Sequence, residues 1–186
     1  STSRRQRQMC IRDSTNITSS RFLVFGVKRM LSAAKNVRNA MLFNVLSFMS
    51  DKLLTVGNTV AALDELYIWL SNPTAIEYIR NCLKRVRKKE SAMLLASQNL
   101  EDFDQEGVRE MTKPLFSIPP HQFLFNAGSI DKRSYMDMLQ LEESEYNRIK
   151  FPQRGVCLYK CGNERYLLEV HAPSYKEKLF GSAGGR

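Results

Sequence analysis

The residues best suited to chemistry in this chain are Asp64 and Glu65. They are adjacent and follow a short apolar run, Val60-Ala61-Ala62-Leu63. A carboxylate pair delivered by a hydrophobic strand can divide two tasks. Asp64 can hold Mg²⁺, usually through a water, where the metal bridges phosphates. Glu65 can polarise an attacking water as general base. The plainer reading is a solvated acid pair opening a loop, because any sheet can produce an apolar run followed by acids. Gln98 is the second signal, at the tip of the next apolar run, Ala92-Met93-Leu94-Leu95-Ala96, which ends in Ser97-Gln98. An amide there can reach a γ-phosphate or the attacking water, although alone it reads better as a cap of the following turn. Together the two signals say more. They end consecutive strand-like runs joined by one helix, so they should stand side by side.

The third signal is basic. Lys84, Arg85, Arg87, Lys88 and Lys89 crowd one helix end, with Arg80 earlier on the same helix. An arginine here could cross a subunit boundary as a finger onto the transferred phosphoryl group. A solvated basic face, helped by the helix C-terminal dipole, explains most of these residues better, with one of them the candidate exception.

The elements that must position these groups follow from periodicity. Phe22-Leu23-Val24-Phe25 is a strand-like run closed by Gly26. From Val27 to about Leu54 the apolar residues recur at spacings of three and four, as in a helix. Asn72-Pro73 opens another helix, with Asn as N-cap and Pro at the first position. It runs to about Lys89, with Ile76, Ile79, Leu83 and Val86 on one stripe. The acidic segment from Glu101 to Glu110 leads to a fourth run, Gln122-Phe123-Leu124-Phe125, ending at Asn126. Short helices are expected over 131–139 and 142–150. A hairpin is expected from 155 to 171 around Cys161-Gly162-Asn163. Buried strands alternating with helices imply an α/β sheet, largely parallel, whose ligands sit at the carboxyl ends of the strands. Leu23, Leu63, Leu94 and Phe123 should then be buried in one sheet.

Composition sets the limits. The chain has 186 residues, 43% hydrophobic and 25% charged, so it can bury a real core. Its 28 Lys and Arg exceed 19 Asp and Glu, giving +9, which favours an anionic partner. The four cysteines, Cys10, Cys82, Cys157 and Cys161, and the two histidines, His121 and His171, lack zinc-site spacing. A disulfide framework is not expected either. No signal peptide is read at the start. The apolar segment from Met41 to Met49 is interrupted by Asn44. It falls short of the roughly 18 to 20 residues a bilayer needs. These features are those of a cytosolic chain.

The acidic pair after a short apolar strand has the form of the second acidic motif of P-loop nucleotidases. Residues 63–103, LDELYIWLSNPTAIEYIRNCLKRVRKKESAMLLASQNLEDF, resemble the C-terminal motor of the conjugative-transfer ATPases. These are the large ATPases of type IV secretion systems, within the RecA-like family that includes the HerA and FtsK translocases. The likeness is strongest to the versions carried by conjugative transposons. It extends over roughly 21–180 and takes in RFLVFGVKRML before and FLFNAGSIDKRSYMDMLQLEESEY after.

The resemblance implies the C-terminal part of a RecA-like P-loop NTPase core: a mostly parallel sheet flanked by helices, with a C-terminal antiparallel hairpin. It implies ATP and Mg²⁺ as cofactors. Asp64 and Glu65 match the acidic motif, and Gln98 matches the sensor glutamine. Arg87 matches a Leu-Arg-Lys pattern whose Arg is a candidate finger, with Arg85 the nearby alternative. Leu66 stands where Ala is more usual, and Ser97 where Thr is. The implied domains are a flexible basic lead-in over 1–20, the motor region over 21–172 and a tail over 173–186. The implied partners are conjugation and type IV secretion components, DNA and, in the complete protein, further copies in a hexamer. The implied location is cytoplasmic, peripheral at the inner face of the cell membrane.

One component of such a site is missing from these residues. No G-x-x-x-x-G-K-[ST] phosphate loop occurs in them, and Gly26-Val27-Lys28 lacks the required spacing. In the family that loop lies upstream, so the chain reads as half of a nucleotide site, with little activity by itself. The alternative reading is a non-enzymatic basic scaffold or DNA-binding module on a degenerate RecA-like fold.

Overall fold

A computed structural model describes residues 21–27, 30, 32–70, 72–98, 100–104, 107–125, 130–151 and 154–181. Two compact units are distinguished, 1–38 and 39–186. In the first unit, the Phe22-Leu23-Val24-Phe25 run is not a strand, and all four residues are exposed. Four apolar residues are a strand only if a neighbouring strand completes the hydrogen-bond ladder, and among the described residues none does. Lys28, Arg29 and Leu31 of the expected first helix lie outside the described residues. The helix found is α1, Lys35–Asp51, continued by a π-helical turn, Lys52–Val56.

The second unit is built from β1 (Val60–Leu63), α2 (Tyr67–Leu70), α3 (Pro73–Arg85), a 3₁₀ turn (Val86–Lys89) and β2 (Ala92–Leu95). After these come a 3₁₀ turn (Glu101–Phe103), α4 (Arg109–Ser117), β3 (His121–Leu124), α5 (Lys132–Leu139) and α6 (Glu143–Ile149). The hairpin β4 (Val156–Cys161) and β5 (Glu164–Glu169) and then α7 (Ser174–Phe180) complete it.

Local chemistry explains several boundaries. Asn72 caps α3 by accepting the Thr74 amide at 3.0 Å, and Pro73 fills the first helical position, where no N–H is needed. Asp131 caps α5 by accepting from the Arg133 and Ser134 amides. Glu142 and Glu145 form a reciprocal capping box at the start of α6. The hairpin turns on Gly162, whose φ of +58° suits the first residue of a tight two-residue loop. Gly155 has no room for a side chain, since a Cβ there would lie 2.5 Å from the Val170 carbonyl oxygen.

The sheet differs from the one expected. β1 and β2 pair in parallel, Val60 opposite Ala92 through Leu63 opposite Leu95. The fourth run, β3, does not extend that pair. It runs antiparallel to β4, which pairs in turn with β5, making a separate three-stranded sheet. An apolar run specifies a strand but not its neighbour or its direction. Here the ladder with β4 continues past the strand end, where the Gly162 amide donates to Pro120 O at 2.9 Å. Asn126 lies outside the described residues. Burial is also one-sided. Leu63 is buried, but Leu94 is 60% exposed, Phe123 52% and Leu23 40%. Val60 and Leu94 lie on one face of the β1–β2 pair, and the described residues leave that face open.

The core lies among the helices. Leu42, Leu46 and Met49 of α1 are buried on one stripe, and Ile76, Ile79, Cys82 and Val86 form the buried face of α3 and its 3₁₀ extension. A second cluster joins Tyr135, Leu139, Leu141, Tyr146 and Ile149 to Leu158 of β4. Lys160 is buried beside it and donates to the Leu139 carbonyl oxygen. Desolvation pushes its ammonium below the usual lysine pKa, the Arg165 charge adds to this, and Glu145 opposes it.

Ile79 is fully buried. Ile79→Ala is therefore expected to cost about 2–5 kcal/mol, seen as a lower urea midpoint at unchanged m value. A loss below about 1 kcal/mol would mean that the α3 face is not core.

Candidate active site

The carboxyl ends of β1 and β2 are tied together beyond the strands themselves. The Ala96 amide donates to Leu63 O at 2.9 Å, and the Leu66 amide donates to Ala96 O at 2.9 Å. These bonds fix Asp64-Glu65 beside Ser97-Gln98. Chain direction and register do the rest, because parallel strands present their carboxyl ends at the same edge.

Within that edge, Asp64 Oδ1 accepts the Glu65 amide at 2.9 Å. The bond holds Glu65 in the left-handed region, with φ at +53°. For a residue with a Cβ this conformation costs on the order of 1 kcal/mol. It turns the chain sharply from strand to helix, and the Glu65 carbonyl then accepts from the Ile68 amide at 3.0 Å. Asp64 and Gln98 are exposed and Glu65 is half-buried. The Gln98 Nε2 donates to Glu65 Oε1 at 2.9 Å. Asp64, Glu65 and Gln98 thus form one cluster.

Arg85 and Arg87 do not join it. The Asn58 amide donates to Lys89 O at 2.9 Å, which places the 3₁₀ turn at the start of β1 and β2. The cluster lies at the other end, about 10 Å of strand away. Both arginines are exposed, as is Lys88, whereas Arg80 is half-buried and paired with Glu77 at 3.6 Å.

Two features escape sequence reasoning. One is the direct bond between Gln98 and Glu65, which are 33 positions apart. The other is a row of rings on the second sheet. Phe123 stacks on Tyr159 with centroids 4.6 Å apart, and Tyr159 faces Tyr166 at 6.1 Å. These rings come from three strands, so no linear motif announces them.

No family model matches the chain. A curated relative is a probable conjugal transfer protein, TrbE, of Sinorhizobium fredii (strain NBRC 101917 / NGR234). It is 27% identical over 167 residues, covering 88% of this chain and 23% of that protein. Among solved structures, VirB4 of Thermoanaerobacter pseudethanolicus superposes with a TM-score of 0.76 at 29% identity. That match covers 86% of this chain and 44% of VirB4. The chain is similar to the VirB4 and TrbE proteins. This is the conjugative-transfer family that the sequence resembles, and the fold is the α/β, RecA-like one expected from it. The VirB4-like chain spans less than half of either relative.

A divalent cation would find limited protein ligation at this site. Asp64 spends one oxygen on the Glu65 amide, and its other oxygen is the one that would meet a metal-bound water. Among the described residues, no three His, Cys, Asp or Glu side chains gather as a protein cage. No helix among the described residues is long and apolar enough to cross a membrane.

Proposed function

We propose that this chain is the C-terminal portion of an ATP-hydrolysing motor that energises conjugative DNA transfer through type IV secretion. The observation that carries the reading is the Gln98–Glu65 bond of 2.9 Å beside Asp64, at the carboxyl end of a parallel strand pair. The likeness to VirB4 and TrbE supports it independently. Asp64 would hold Mg²⁺ through a water, and the ion would neutralise charge on the β- and γ-phosphates. Glu65 takes a proton from the attacking water. Gln98 acts as the sensor at the same edge. Arg87, with Arg85 as the alternative, stands at the far end of the strands and is free to serve the nucleotide of a neighbouring copy. A finger in that position would act only in an oligomer, for which we propose a hexamer at the inner face of the cell membrane, working with secretion components and DNA.

ATP turnover by the complete protein tests this. Turnover should require Mg²⁺, and the 186-residue chain alone should show little, since it carries no phosphate loop. Assays with and without DNA show whether nucleic acid stimulates the motor. A complete protein that binds DNA and leaves ATP intact would favour the basic scaffold reading, to which the +9 charge also belongs.

A further inference from the structure

We propose that Gln98 is the positioning residue for Glu65, acting on the reaction through that carboxylate rather than by gripping the nucleotide. The proposal rests on the reading of Glu65 as the base. The contact is built in from both sides. On one side the Glu65 backbone is held in its left-handed turn by Asp64 Oδ1, and its carbonyl is used by the Ile68 amide. On the other, the Leu63–Ala96 and Ala96–Leu66 bonds lock Ala96, just past β2 and two residues before Gln98, against the same turn. The side chains then meet at 2.9 Å, Nε2 to Oε1.

Glutamine suits this task. Its amide donates one hydrogen bond to the carboxylate and still has an oxygen that can accept from water. It is neutral, so it orients Glu65 without cancelling the charge that makes it a base. A lysine or arginine at the same place would pair with that charge and compete for it. With Oε1 occupied, Oε2 is the oxygen left to take the proton. A misplacement of about 1 Å at such a group can cost on the order of 100-fold in rate.

The test is a double-mutant cycle in the complete protein, read as kcat and as ATP affinity. Gln98 is exposed, so Gln98→Ala leaves the core untouched. Gln98→Ala should lower kcat about 10- to 100-fold and leave ATP affinity within about twofold. Gln98→Asn, one methylene too short to reach Oε1, should behave like Ala. Gln98→Glu should be slower still, because two carboxylates would meet. Combined with Glu65→Gln, Gln98→Ala should add nothing, since it acts only through the group already lost. The proposal is overturned if the double variant is slower than Glu65→Gln by the full single-mutant factor. It is also overturned if Gln98→Ala weakens ATP binding as much as it lowers kcat. Either result would place Gln98 on the nucleotide and leave the base assignment intact. Parental turnover by Glu65→Gln alone would instead remove the base, and this proposal with it.

Discussion

Glu65→Gln in the complete protein is expected to bind ATP as the parent does and to turn over about 10²- to 10⁴-fold more slowly. The substitution is nearly isosteric and removes only the acceptor for the water's proton. The local frame should survive it. The turn at Glu65 is held by bonds to Asp64 Oδ1, Ala96 O and the Ile68 amide, none of which uses the Glu65 carboxylate. The Gln98 amide can still donate to the new amide oxygen, so the edge of the site keeps its shape. Because ground-state contacts to the phosphates are untouched, the loss should appear in kcat and not in nucleotide affinity. Equilibrium binding of a fluorescent ATP analogue beside steady-state turnover measures both. Turnover at the parental rate would exclude Glu65 as the base. Asp64→Asn gives a useful contrast. It weakens the carboxylate proposed to hold the metal, so it should raise the Mg²⁺ concentration needed for activity.

Arg87→Ala should lower turnover by about 10³-fold or more if Arg87 is the finger, with a smaller effect on nucleotide affinity. The reason is positional. Arg87 is exposed on the 3₁₀ turn that precedes β2, and Asp64, Glu65 and Gln98 follow the strands at the opposite edge. Within one chain the two cannot serve the same phosphate. Across a ring of copies, one edge of a sheet can face the other edge of its neighbour. Arg85→Ala and Lys88→Ala are the comparisons, since both residues are also exposed at the same helix end. A finger should stand apart from them, because a solvated cation typically contributes less than about 1 kcal/mol. Mixing Arg87→Ala with Glu65→Gln subunits tests action in trans. Defects on different protomers can complement at shared interfaces, and two defects in one pocket cannot. Equal, mild losses in all three basic variants would return this helix end to a solvated basic face.

Much of the local structure is legible in the residues themselves. The Asn72-Pro73 signal and the Ile76, Ile79, Leu83, Val86 stripe predict α3 and its buried face; the helix is found, with Ile76, Ile79 and Val86 buried and Leu83 half-buried. The helices expected near 131–139 and 142–150 start within one residue of those positions, as Lys132–Leu139 and Glu143–Ile149. The hairpin around Gly162 is also where its turn chemistry puts it. Each of these is written in residues that are neighbours in sequence: a cap, a stripe at helical spacing, a glycine with positive φ. The helix Arg109–Ser117 is not legible in this way, because an acidic lead and an internal Pro114 obscure its start and its period.

The acidic pair and Gln98 can likewise be picked out from the sequence, since each ends an apolar run, and the helix between those runs implies parallel strands with adjacent ends. Their contact cannot. Whether Gln98 reaches Glu65 depends on the register of β1 against β2 and on the left-handed turn at Glu65, and neither leaves a mark in composition. The same limit explains the second sheet. The Phe123 run is recognisable as a strand, but its antiparallel partner is set by hydrogen bonding to residues 34 or more positions away. It explains the exposure of Leu94 and Phe123 too, because an apolar side chain is buried only where something packs against it. Periodicity and capping are local, and the sequence alone determined them. Strand partners, their direction, which face is covered and which side chains meet are long-range pairings, and only the tertiary structure decided those.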